Sequence, residues 1–402
     1  MKSSVRMAGL GAAAILVAAL VAWNALRPIE IAPVQVIASS FSEGTPPEIP
    51  WPDQGQAAVG AAVGGQGSGV LAASPNATPQ PTGSVAKVMT ALVVLEERPL
   101  RVGEQGPTIL VTEQDVQDYR QMLAQGQSVV PVVAGEVLTE YQALQGLLLP
   151  SANNFALMLA RWASGSLQQH LDRMSAEARR LGMTQTAFAD ASGFSPQTRS
   201  TPSDLIRLGE AAMRNPVIAQ IVDQPEAVLP VAGVVYNVNA VLGQDGIVGI
   251  KTGNTPEAGG CYLFAATDRL DDGREILLFG AVQGMETLRD AFVAAEALLR
   301  VMRLTLEIRH IVHHYQVVGY YQAPWGASTD VIATRDVDLA LWPGAAVSVT
   351  LHARPISPPA ARGTTVGSLH LVVGGASYDV PVVTVRTVPG PSIPARLTRV
   401  SW

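Results

Sequence analysis

Apolar residues recur along this chain at two periods, and the change from one to the other divides it into regions. Two short runs, QAAVGAAV (56–63) and SGVLAAS (68–74), parted by GGQG, read as a β-hairpin. Apolar positions three and four apart then predict helices over 84–95, 138–163, 167–181 and 202–215. Strand-like runs return in GIVGIKTG (246–253), GGCYLFAAT (259–267) and EILLFGAVQG (275–284), and a helical pattern follows at 287–302. From 304 to 388 the chain is a series of short alternating runs with turn residues between them, including YQVVGYY, STDVIATR, AAVSVTLHA, GSLHLVVGG and YDVPVVTV. The order predicts an α/β (α+β) domain over 56–303 and a small all-β domain over 304–390, leaving a tail at 391–402. No internal repeat is present.

The N-terminus has a different pattern. Lys2 and Arg6 precede an uncharged run from Met7 to Leu26, and a run of ~20 residues can span a bilayer. No clean A-x-A site closes it, so residues 1–26 read equally as a signal peptide or a signal anchor. In both cases the positive end stays inside. The rest of the chain is then exported and extracytoplasmic, with this segment as its contact with the membrane. Residues 27–55, rich in Pro, Ser and Glu, read as an extracytoplasmic linker.

Composition narrows the function. With 402 residues, 48% hydrophobic and 15% charged, the chain can bury a large core. A net charge of −6 speaks against nucleic acid as a partner. One cysteine, Cys261, excludes an internal disulfide and reads as a buried small hydrophobe. His310, His313 and His314 lack an H-E-x-x-H pattern, and no G-x-G-x-x-G joins a strand to a helix. His170 reads as a surface or packed histidine, since no G-x-S-x-G accompanies it. Neither a metal nor a cofactor is expected.

The lysines carry the sharper signal. Of 27 basic residues only Lys2, Lys87 and Lys251 are lysine. Arginine serves surface charge equally well but cannot give up its proton, whereas a buried lysine can. Lys87 stands three positions after Ser84 in PTGSVAKVMTALVVLE, so on a helix its amine reaches the serine hydroxyl. Burial in VMTALVVL would lower its pKa and let it act as the base that serine needs. The plainer alternative is a helix-capping serine and a solvated lysine, and S-x-x-K alone is a weak signal. Ser151 and Asn153, in LLLPSANNFALMLA, stand at the turn between two apolar helical runs, while Lys251, Thr252 and Gly253 end an apolar strand. Ser-x-x-Lys, Ser-x-Asn and Lys-Thr-Gly in that order form the set shared by penicillin-binding proteins and class A β-lactamases.

On these motifs the sequence resembles the low-molecular-mass penicillin-binding D-alanyl-D-alanine carboxypeptidases. GQSVVPVVAGEVLTEYQALQGLLLPSANN is similar to the family's lead-in to its second motif. RRLGMTQTAFADASGFSPQTRSTPSDLIRLGEAAMRNP resembles the segment before the third, KTGNTPEAGGCYLFAAT the third-motif strand pair, and RGTTVGSLHLVVGGASYDVPVVTV the end of the C-terminal β-domain. The likeness runs from about residue 56 to 388. It implies a penicillin-binding, β-lactamase-like domain with an antiparallel sheet flanked by helices. It further implies trimming of the terminal D-alanine from peptidoglycan stem peptides ending in D-Ala-D-Ala, with β-lactams as covalent inhibitors. Ser84 would be the nucleophile, Lys87 the base and Ser151 a proton relay. Asn153, Lys251, Thr252, Gly253 and Asn254 would bind substrate, with Ser84 and Asn254 N–H groups forming the oxyanion hole. Gly83 before the serine and SANN in place of SGND depart from the usual pattern without removing a reacting group.

Two rival functions share parts of this signal. A class A-like β-lactamase needs a glutamate to activate water, and Glu210, the nearest candidate, reads as an ordinary exposed helical residue. A non-catalytic wall- or β-lactam-binding protein would have no use for Ser84, Lys87, Ser151 and Lys251 together.

Overall fold

The structure, a computed structural model, describes residues 14–23, 26–37, 40–42, 44–63, 66–75, 77–269, 273–373 and 376–397. Residues 7–13 and 24–25 of the N-terminal apolar run lie outside them. Among the described residues no helix is long and apolar enough to cross a membrane.

The long apolar runs of residues 247–285 build the sheet that carries the site. Strands Ile247–Thr255, Gly259–Arg269 and Glu275–Met285 run antiparallel in that order, and the hairpin Gln56–Val63 and Gln66–Ala73 completes the sheet. Side chains alternate across it. Tyr262, Phe264 and Ala266 pack against Ala295, Leu298 and Met302 of helix Leu288–Thr305. Cys261, Leu263 and Ala265 face the helical block on the other side. Both faces are covered, which is why GGCYLFAAT is continuously apolar instead of alternating with polar residues.

That helical block contains Lys87–Glu97, Glu140–Leu148, Asn153–Ser164, Leu167–Arg180 and Pro202–Arg214. The helical stretch 138–163 is two helices with the expected turn at 151–153 between them, where Pro150 has no N–H to continue the ladder. Helix Glu113–Ala124 gave no apolar stripe because it buries only Asp115 and Val116; a reciprocal capping box between Thr112 and Asp115 starts it.

The C-terminal domain holds a correction. The segment expected to be a free linker is part of its sheet, whose strand order is Pro33–Gln35, Val317–Gln322, Ser328–Ala333, Ala376–Thr384, Thr365–Val373, Val347–Ala353, Ser40–Phe41. Both edge strands come from one short stretch near the N-terminus, which straps the two edges together. Ile31 is buried in the β-domain core and exchanges backbone hydrogen bonds of 2.9 and 3.0 Å with Ile356. The Gln35 side chain reaches the far edge, accepting from Leu351 N at 2.8 Å and donating to the Val349 carbonyl at 3.3 Å. Proline and polar residues disguised these strands because edge positions tolerate them.

Candidate active site

Ser84 lies in a 3₁₀ turn, Gly83–Ala86, and Lys87 opens the α-helix behind it. Residues three apart eclipse one another in a 3₁₀ turn, and Lys87 Nζ stands 2.6 Å from Ser84 Oγ. Lys87 is 0% exposed, so its amine has few other partners; it also donates to the Ser192 carbonyl at 3.2 Å. Burial, with the nearby Lys251 charge, holds its pKa well below the ordinary lysine value, and Asp190 opposes the shift. An uncharged amine beside a hydroxyl can accept the proton.

The third motif forms an edge of the sheet. Among the described residues, strand Ile247–Thr255 pairs with a strand on one side only, with Lys251 opposite Leu263 and Gly253 opposite Cys261. Gly253 presses this edge against the nucleophile turn. A β-carbon there would lie 2.7 Å from the Thr82 carbonyl oxygen and 2.9 Å from the Ser84 nitrogen. From the other side, a β-carbon on Gly83 would lie 3.2 Å from Asn254 N. The backbone at Gly83 and Ser84 thus lies against that at Gly253 and Asn254. Lys251 is 1% exposed, and burial lowers its pKa to about 7. Thr252 is buried beside it and Asn254 is exposed.

Ser151 sits at the break between two helices with φ of 66°, a left-handed conformation that costs a non-glycine residue ~1 kcal/mol or more. Asn153 opens the next helix. Its N–H donates to the Ser128 carbonyl at 2.8 Å and its Nδ2 to Gln127 Oε1 at 2.6 Å. Its Oδ1 is buried with no hydrogen-bond partner among the described residues. The first and third motifs therefore meet at Ser84, and the second stands at the break between helices Glu140–Leu148 and Asn153–Ser164.

The sequence reading missed the loop ADASGFSPQT. Asp190 Oδ2 accepts from Ser192 N, Ser192 Oγ and Phe194 N at 3.2, 2.6 and 3.0 Å, and Oδ1 accepts from Thr198 Oγ1 at 2.6 Å. The loop is fastened to the nucleophile helix by Lys87 and by Thr90 Oγ1, which donates to the Ala191 carbonyl at 2.7 Å. Its dense Asp, Ser, Gly and Thr content was the available signal, since such side chains fold turns upon themselves.

Glu210 corrects an expectation. It is 8% exposed, not exposed, and its Oε1 accepts from Gly69 N at 3.2 Å. Burial raises its pKa to about 7 against the pull of Arg214 and the Gly69 N–H. Gly69 lies on the edge strand opposite the one carrying Lys251. Four strand spacings of ~4.8 Å separate the two edges by roughly 19 Å, so Glu210 cannot activate water at Ser84. His170 is a packed residue, with Nδ1 2.9 Å from Ser164 Oγ and a pKa lowered by burial to about 4. Cys261 is buried as expected.

A half-buried serine with a buried lysine at the head of a helix, pressed against the edge of an antiparallel sheet, defines a serine acyl-transfer enzyme. The chain belongs to the D-alanyl-D-alanine carboxypeptidase family, whose pattern residues 50–277 match. It is 31% identical over 229 residues to a D-alanyl-D-alanine carboxypeptidase of Streptomyces sp. (strain K15), covering 52% of this chain and 77% of that one. It is 30% identical over 240 residues to a D-alanyl-D-alanine endopeptidase of Pseudomonas aeruginosa, covering 58% and 74%. Its fold is that of penicillin binding protein 5 from Haemophilus influenzae, with a TM-score of 0.67 at 18% identity over 86% of this chain and 99% of that one.

Proposed function

We propose that the chain is a serine-type D-Ala-D-Ala carboxypeptidase that shortens peptidoglycan stem peptides. Ser84 Oγ attacks the carbonyl between the two terminal D-alanines while Lys87 Nζ takes the hydroxyl proton. The oxyanion is held by the Ser84 and Asn254 N–H groups, each such donor being worth ~3 to 4 kcal/mol. The C–N bond breaks as Ser151 relays the proton to the departing D-alanine nitrogen. Water then adds to the acyl ester, Lys87 takes its proton, Ser84 Oγ leaves and is reprotonated, and the shortened peptide departs as a carboxylate. Asn153 holds the substrate amide, and Lys251 and Thr252 hold the terminal carboxylate. Gly253 lets the substrate backbone lie along the edge strand as an added strand.

The observation that carries this reading is the 2.6 Å approach of a fully buried Lys87 amine to Ser84 Oγ. β-Lactams would acylate the same serine. The enzyme acts outside the cytoplasm, and its N-terminal apolar segment holds it at the membrane. The test is to incubate the protein with a fluorescent penicillin and with a peptide ending in D-Ala-D-Ala. A covalent adduct lost in Ser84→Ala, together with release of free D-alanine, is the expected result. An adduct of equal yield on Ser84→Ala overturns the assignment.

A further inference from the structure

Asp190 is the side chain around which the loop behind Lys87 is folded. Its two carboxylate oxygens take four hydrogen bonds from Ser192, Phe194 and Thr198. Thr198 is 0% exposed, and its Oγ1 in turn accepts from the Ala189 and Asp190 N–H groups at 3.0 and 3.2 Å. The loop closes on itself and on the carboxylate. Two of its carbonyls then face the nucleophile helix, that of Ser192 toward Lys87 Nζ and that of Ala191 toward Thr90 Oγ1. The next residue, Gly193, has φ of 78° and passes so near the nucleophile turn that a β-carbon would lie 1.8 Å from the Gly83 carbonyl oxygen. The loop is the wall against which both Ser84 and Lys87 are set.

We propose that Asp190 is a positioning residue for the acylation step, folding its loop so that the Ser192 carbonyl is held on Lys87 Nζ. This rests on the reading that Lys87 takes the Ser84 proton. The charged groups that act on Lys87 are Lys251 from the edge strand and Asp190 from the loop, with opposite signs. Lysine 251 drives the proton off. Asp190 keeps the amine basic enough to take a proton from serine and hold it until the leaving group needs it. A base stripped of that partner would be neutral over a wider pH range yet a poorer proton acceptor, since proton-transfer driving force follows basicity.

The test is the pH profile of penicillin acylation for wild type, Asp190→Asn and Ser192→Ala, on protein whose melting curve shows it folded. In wild type the rate rises with pH as Lys87 deprotonates. In Asp190→Asn this limb should move to lower pH by about 1 unit, the shift usual for losing one neighbouring opposite charge, and the plateau should fall. Ser192→Ala keeps both the carbonyl and the carboxylate, and its limb should stay in place. A lowered melting temperature with an unmoved limb in Asp190→Asn overturns the proposal and makes the residue structural only. Lys87→Met separates this from failure of the underlying reading: if that variant retains the wild-type rate and limb, Lys87 is not the base.

Discussion

Gly253 and Ser84 are in backbone contact across the joint between the sheet edge and the nucleophile turn, with 2.9 Å between the Ser84 nitrogen and where a Gly253 β-carbon would stand. This contact sets the gap between the Ser84 and Asn254 N–H groups. Gly253→Ala should push the strand off the turn and separate the two donors. Acylation should fall ~10²- to 10³-fold, as when one oxyanion donor is lost, with the fold intact by circular dichroism. A loss of only a few-fold would mean that the edge adjusts without disturbing the site.

Lys87→Arg keeps the charge and nearly the length. Were Lys87 only an electrostatic partner, this variant would remain active. As a base it must lose its proton, which arginine does not, so acylation should fall ~10²- to 10⁴-fold. Stopped-flow measurement with penicillin across pH gives the answer, and the variant's profile should be flat.

Lys251, proposed to bind the substrate carboxylate, is buried at the expense of stability. Its pKa is about 7 in the fold against an ordinary 10.5, so the cost is absent above pH 10.5, grows as pH falls, and is complete below 7. Lys251→Met should therefore be the more stable protein near neutral pH, by roughly 4 kcal/mol. It should acylate poorly with carboxylate-bearing substrates and be less impaired toward an esterified analogue. Melting curves at pH 7 and 10 give the first result; equal melting temperatures for the two proteins at pH 7 would contradict it.

Glu210→Gln should leave both acylation and deacylation within twofold of wild type, because the residue packs at the sheet edge away from Ser84. Its pKa is raised from 4.5 to about 7, so the stability of the neutral form is present below pH 4.5 and lost as pH rises through 7. The glutamine variant should not lose it. A stability gap of ~2 to 3 kcal/mol in its favour should open between those values, measured by urea titration at pH 4.5 and 8.

Ile31→Asp puts a charge into the β-domain core beneath the strap, at a residue 5% exposed. The strap should detach at a cost of ~3 kcal/mol or more. Limited proteolysis should then cut within residues 27–55 while penicillin acylation persists. Resistance to cleavage equal to wild type would mean that the strap contributes little.

The proposed catalytic groups stand out in the sequence because their chemistry restricts residue type. A chain that uses arginine nearly everywhere marks Lys87 and Lys251 by not doing so, Ser84 stands three positions before Lys87, and Ser151 stands two before Asn153. The sheet and most of its helices were legible because burial imposes periods of 2 and 3.6. What the sequence could not determine depends on partners distant along the chain. Asp190 acts through a loop whose meaning comes from Lys87, 103 residues earlier by number. Glu210 looked exposed because its own helix is amphipathic, but the hairpin strand at Gly69 covers it. Residues 33–41 looked like a linker because two short edge strands have almost no local pattern, and only the edges at 317–322 and 347–353 make them strands. Local sequence encodes the period of an element and the reactivity of its side chains, whereas the far side of each contact is supplied by the tertiary structure.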